Sequence, residues 1–153
     1  MISFKVKAKG LKESQEKLRQ VARDMHGQPM QDGMEKAALM VTRSARIKAP
    51  VDTGRLRSSI MPEVRVKGTE VQGVIGSNVT YAPFVELGTK PHFPPIEAVA
   101  VWAARHGMSA YAVALAIARR GTKAHPYLQP AFDENRSAIE AILGRTVQGI
   151  LNK

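Results

Sequence analysis

The hydrophobic period changes repeatedly along this chain, and that limits the folds open to it. Ile2, Phe4, Val6 and Ala8 alternate with Ser3, Lys5 and Lys7, a half-buried strand pattern. From Leu11 to about Met25 the period becomes helical, carried by Leu11, Leu18, Val21, Ala22 and Met25. His26-Gly27-Gln28-Pro29 interrupts it. A second helix is expected over 29–48, with Met30, Met34, Ala37, Ala38, Val41 and Ala45 on one stripe. Ala49-Pro50 stops it, because the residue before proline avoids the helical region. Residues 51–60 read as a loop leading into one helical turn. Alternation then returns: Val64 and Val66 between Glu63, Arg65 and Lys67, a turn at Lys67-Gly68-Thr69-Glu70, and a return strand Val71 to Ile75. Gly76-Ser77-Asn78 closes it.

The second half is punctuated by glycine and proline. Tyr81 to Leu87 reads as a short helix or an irregular packed turn, ended by Gly88. Pro91, Pro94 and Pro95 stiffen 88–95. Helices are expected over 96–106 and 110–119, the second capped by Ser109, the two forming a small helical hairpin around Gly107. A last helix should span about 128–150, with Pro130 in its first turn. Gly88-Thr89-Lys90-Pro91-His92-Phe93 is echoed by Gly121-Thr122-Lys123-Ala124-His125-Pro126-Tyr127. The two copies bracket the hairpin and would set two similar loops side by side.

Length and composition narrow the function. The 153 residues suit one domain, 1–153, with the hairpin inserted at about 96–120. With 44% hydrophobic and 24% charged residues the balance is that of a globular protein. The absence of cysteine excludes disulfides, thiol nucleophiles and cysteine zinc sites. The opening MISFKVKAKG carries charge too early for a signal peptide, and no run is long enough for a membrane span. The net charge is +10, and the excess is N-terminal: residues 1–67 hold 15 basic and 7 acidic side chains. Lys5, Lys7 and Lys9 share one strand face; Arg43, Arg46 and Lys48 gather near a helix end, with Arg55 and Arg57 beyond. Edge protection and helix-dipole compensation account for part of this patch. The remainder suits phosphates or acidic protein surfaces. A basic nucleic-acid-binding protein that contacts phosphates without reading sequence is thus the alternative function. Against it, no aromatic stacking platform and no helix-turn-helix is legible.

Catalytic readings are weak. Asp52-Thr53-Gly54 matches the triplet of aspartic proteases, but Arg55 and Arg57 would stabilise an ionised Asp52 and not a shared proton. The plainer expectation is a turn in which Asp52 accepts backbone N–H groups and Gly54 takes the unusual dihedrals. His26, His92, His106 and His125 include no helical i, i+4 pair. His92 and His125 would meet if the echoed loops do, yet a site would still need a carboxylate such as Glu86 or Asp133. No cofactor, metal or catalytic residue is expected.

Three runs carry a resemblance. They are Ala49-Pro50-Val51-Asp52-Thr53-Gly54-Arg55-Leu56-Arg57-Ser58-Ser59-Ile60, then Gly76 to Thr89 around Tyr81-Ala82-Pro83-Phe84-Val85-Glu86-Leu87-Gly88, then His125-Pro126-Tyr127-Leu128-Gln129-Pro130-Ala131-Phe132. In this order they resemble the small tail-component proteins of tailed phages and prophages, also called neck, head–tail joining, tail-completion or minor tail proteins. The chain departs from short family members by its inserted hairpin. The resemblance implies an α+β fold, with long helices packed on a small, mostly antiparallel sheet and a C-terminal helix. It implies a non-enzymatic structural protein at the head–tail junction or top of the tail tube, acting as a ring subunit that stays monomeric until templated. Its partners would be connector and tail proteins, with non-specific DNA contact where Lys or Arg faces a lumen, and no membrane. It would reside in the virion tail or neck, after assembly in the host cytoplasm. The residues so implied in structure or assembly are Asp52, Thr53, Gly54, Arg55, Leu56, Tyr81, Pro83, Phe84, Glu86, Gly88, His125, Pro126, Tyr127 and Pro130. Arg55 and Glu86 stand out as charges that could act between subunits.

Overall fold

The computed structural model describes residues 10–152. Among these described residues, seven helices and one hairpin follow in the order α1 (Leu11–Asp24), α2 (Gln28–Lys48), α3 (Arg55–Ser59), β1 (Ile60–Lys67), β2 (Glu70–Ser77), α4 (Ala82–Leu87), α5 (Ile96–Arg105), α6 (Ala110–Arg120) and α7 (Leu128–Leu151). The fold is α+β: long helices, a two-stranded antiparallel sheet and a C-terminal helix. The strand expected over 2–8, with Lys5, Lys7 and Lys9, lies outside the described residues. No helix among the described residues is long and apolar enough to cross a membrane.

The described chain divides into two compact units, and several elements run from one into the other. The first comprises 10–41, Pro62–Ile75 and 135–152. Its helix α1 has Glu13 in the first turn and Arg23 in the last, favourable ends of the helix dipole. Arg23 bonds Glu16 at 3.0 Å and Gln20 at 2.7 Å, and no α1 residue is fully buried. On α2, Met30, Ala37, Ala38 and Val41 form the buried stripe that the spacing predicts. Strand β2 packs against this stripe at Gly73: a side chain there would begin 3.0 Å from Met34 Sδ. Helix α7 crosses α2 at Gly33, where a Cβ would fall 2.5 Å from Thr146 Oγ1. Glycine at these two positions is what lets the facing side chains come so near the backbone. The hairpin turns on Gly68 (φ 62°) and Thr69; the first residue of a two-residue loop is where a II′ turn needs positive φ.

The second unit comprises Thr42–Met61 and Gly76–Glu134. Ala45, Ala49, Leu56, Ile60, Val79, Ala82, Tyr127 and Ala131 are buried within it. The end of α2 is tied to the start of β1 by Arg46, whose Nε and Nη2 both donate to the Ile60 carbonyl at 3.0 and 2.7 Å. Helices α5 and α6 pack on one another, with Ala103 and Ala114 buried. Gly107 (φ 66°) turns the chain between them. Ser109 holds the N-cap position of α6 without a side-chain cap bond, so its expected hydroxyl cap is not made.

Candidate assembly site: three motifs tied by hydrogen bonds

The first motif begins where α2 stops. Gly54 takes φ 78°, as its turn chemistry requires, and opens α3. The capping expectation for Asp52 needs correction. The neighbouring Thr53 supplies the turn oxygen, accepting the Arg55 N–H at 3.4 Å. The Asp52 carboxylate instead accepts from Arg105 Nη2 on α5. A longer-range cation competed successfully with local N–H groups, because the side chain is part exposed and Arg105 lies opposite it. Leu56 is the buried anchor of this motif; Arg55 and Arg57 are exposed.

Ser59 links the first motif to the second. Its hydroxyl lies 2.7 Å from Ser77 Oγ, and Ser77 Oγ accepts the Val79 N–H at 3.1 Å. Helix α4 follows, with Pro83 in its first turn. Tyr81 occupies its N-cap position. Phe84 and Leu87, three residues apart, are 57% and 77% exposed and form an apolar outer edge on this helix.

Glu86 joins the second motif to the third. Its Oε2 accepts the N–H groups of Tyr127 and Leu128 at 2.7 and 2.9 Å, and Oε1 that of Gln129 at 3.0 Å. The N–H of His125 donates to the Val85 carbonyl at 2.8 Å. Helix α7 starts at Leu128, so Glu86 serves the orphan donors of its first turn. Pro130, the next residue in line, has no N–H to satisfy. A carboxylate at a helix N-terminus is also favoured by the helix dipole. Glu86, entertained as a metal ligand or an inter-subunit charge, is therefore occupied inside its own chain. Sequence reasoning missed this cap because its donors lie more than forty residues away.

The Gly-Thr echo forms a physical pair. Thr89 and Thr122 make an isolated antiparallel bridge, N–H to O at 3.1 and 3.3 Å in the two directions. Their hydroxyls lie 3.0 Å apart. Gly88 (φ 69°, ψ −174°) and Gly121 (φ 72°, ψ −164°) share a conformation essentially restricted to glycine. A Cβ on Gly88 would sit 2.5 Å from Thr122 O, and one on Gly121 would overlap Thr89 O. The inserted helical pair is thus closed at its base by two matched loops.

Tyr127 is fully buried, and its hydroxyl has no hydrogen-bond partner among the described residues. Burial pushes the phenol pKa above its ordinary value, and the charges of Glu86 and then Tyr81 add to the shift. Of the basic patch, Arg46 is spent on Ile60 and Lys48 on Glu134 at 2.6 Å, while Arg43 and Arg57 are exposed without an ion pair among the described residues. Pro126 and His125 are exposed; the His92 ring bonds its own loop at the Lys90 carbonyl, 2.9 Å. The described residues hold no group of three or more metal-ligating side chains.

These contacts make the three motifs one hydrogen-bonded scaffold with outward-facing apolar and basic side chains. A family model described as "Bacteriophage HK97-gp10, putative tail-component" matches residues 9–88, just over half of the chain. That span includes the first motif and the second up to Gly88, where the bridged loop begins. No curated protein and no solved structure matches. The chain belongs to the HK97-gp10-like family of phage tail components, structural and not catalytic proteins.

Proposed function

We propose that the chain is a single-domain structural subunit of a tailed phage or prophage particle, placed at the head–tail junction or at the top of the tail tube. There it completes or joins the tail as one member of a ring of copies, contacting connector and tail proteins. It resides in the tail or neck of the virion and is assembled in the host cytoplasm. The observation that carries this reading is the tail-component match over 9–88. The chain of bonds from Ser59 to Ser77 and from Glu86 to Tyr127 supports it, since rigid loops lose little conformational entropy on docking. Phe84 and Leu87 on α4 offer apolar contact, and Arg55, exposed and without an ion pair among the described residues, is left for a neighbouring subunit, whereas Glu86 is not. If the ring lines a DNA channel, Arg43 and Arg57 are the described patch residues left for phosphates.

Electron microscopy of particles lacking the protein tests the placement. Separate filled heads and finished tails put it at the joint, and tails of uncontrolled length make it a terminator. Normal particles without it would overturn the reading. Particle defects in Arg55→Glu, with an unchanged melting midpoint, would identify a subunit contact.

A further inference from the structure

We infer that the inserted helical pair binds the apolar face of an acidic amphipathic helix from a partner protein. A groove of about 660 Å³ runs along α6. It is lined by Val113 and Ile117, by Ala112 and Ala116, and by Trp102 and Met108 from the α5 side. The α6 positions recur at helical i, i+3, i+4 spacing, so the groove follows one face for some three turns, about 16 Å. The alanines permit close approach, and the flanking aliphatic side chains supply ridges, an arrangement that accepts a second helix. Trp102 and Met108 are about two-fifths exposed, as anchor residues awaiting cover would be.

Charge decides the class of partner. At the C-terminal end of α6 the groove is bounded by Arg120 and Lys123, neither ion-paired among the described residues. Residues 89–123 contain five basic side chains and one acidic, and Arg105 is committed to Asp52. An anionic partner is favoured. Most of the lining is apolar and the two cations lie at one end, which favours carboxylates flanking an apolar helix over the regularly spaced phosphates of nucleic acid. The closure of the insertion by Thr89 and Thr122 holds this surface on a defined base.

This inference extends the assembly reading by naming the partner's chemistry, and its test needs no particle. The full chain is titrated with a synthetic peptide bearing leucine at i, i+3, i+4, i+7 and glutamate on the flanks. Emission of Trp102, the only tryptophan, reports cover of the groove. A saturable blue shift is expected. Arg120→Glu with Lys123→Glu should weaken binding at least about tenfold and reverse the preference toward a lysine-flanked version of the peptide. Ala112→Glu, at an exposed helical position, should weaken the glutamate peptide likewise while leaving helicity intact. No saturable response, equal affinity for the glutamate and lysine peptides, displacement by duplex DNA, or self-association abolished by the same variants would each overturn the inference. Failure here with particle assembly still dependent on the protein would remove the groove alone; peptide binding with normal particles in the protein's absence would remove the assembly reading alone.

Discussion

The carboxylate of Glu86 closes the first turn of a helix that begins beyond Tyr127, accepting the Tyr127 N–H at 2.7 Å and two further N–H groups in succession. With Pro130 contributing no donor, the start of α7 leaves no orphan N–H through Pro130. A short helix in one motif thereby fixes where the long C-terminal helix starts. Glu86→Ala should lower stability by about 2–3 kcal/mol, since several N–H groups lose a charged acceptor at once. Glu86→Gln, which keeps one acceptor oxygen, should cost less. Urea midpoints of the two variants check the order; equal midpoints with wild type would show that water replaces the cap freely.

Gly88 and Gly54 both have positive φ, but only Gly88 faces backbone. Alanine at Gly54, with nothing within 4 Å, should cost about 1 kcal/mol, the steric penalty of the left-handed region. At Gly88 the same change should cost about 3 kcal/mol, because ψ near 180° and the approach of Thr122 O add to it. Thermal midpoints of the two variants should differ by several degrees. Equal losses would mean that the Thr89–Thr122 pairing opens at little cost.

Tyr127→Phe removes a buried hydroxyl without a partner among the described residues and should be neutral or stabilising by up to about 1 kcal/mol near neutral pH. The wild-type phenol has its pKa raised by burial, so the native state holds its proton longer than the unfolded chain does. The associated stability is fully present below the unfolded value near pH 10 and is lost as pH rises through the folded value. The advantage of the phenylalanine variant should therefore grow above about pH 10. Parallel stability curves for the two proteins across that range would exclude the titration.

Gly33 lies inside α2, where alanine normally gains about 1 kcal/mol. Here a Cβ would fall 2.5 Å from Thr146 Oγ1 and 2.9 Å from Cγ2, on a side chain stiff at χ1 whose hydroxyl donates to Ile142 O. Gly33→Ala should thus destabilise by about 1–3 kcal/mol. In a Thr146→Ala background the same change should cost clearly less, since only the Cβ of residue 146, 3.0 Å away, then remains in contact. A double-mutant cycle with no coupling would show that the helices shift apart to accommodate the methyl group.

Asp52→Ala should cost less than about 1 kcal/mol, because its partner is a part-exposed arginine and not a set of backbone donors. The loss should shrink further at high salt. A cost of 2 kcal/mol or more, unaffected by salt, would restore a capping role to this carboxylate.

The local decisions were legible in the sequence. Helix-period stripes predicted α1, α2, α5, α6 and α7, and the Lys67 to Glu70 turn predicted the hairpin, because side-chain period and glycine or proline stops act over a few residues. The Gly-Thr echo announced two like loops, and they pair. Ser109 and Asp52 depart from expectation at the same scale: both carry side chains suited to capping, yet Ser109 makes no cap bond and Asp52 pairs with Arg105.

What tertiary structure alone decided was partnership across distance. Nothing in the spacing of Glu86 marks Tyr127, Leu128 and Gln129 as its donors, or Ser77 as the partner of Ser59. A hydrogen bond is satisfied by whatever the folded chain brings within 3 Å, and the sequence records which groups need partners, not which ones they meet. Periodicity determined the elements; the packing of those elements determined which of the charges and hydroxyls became internal ties and which stayed exposed.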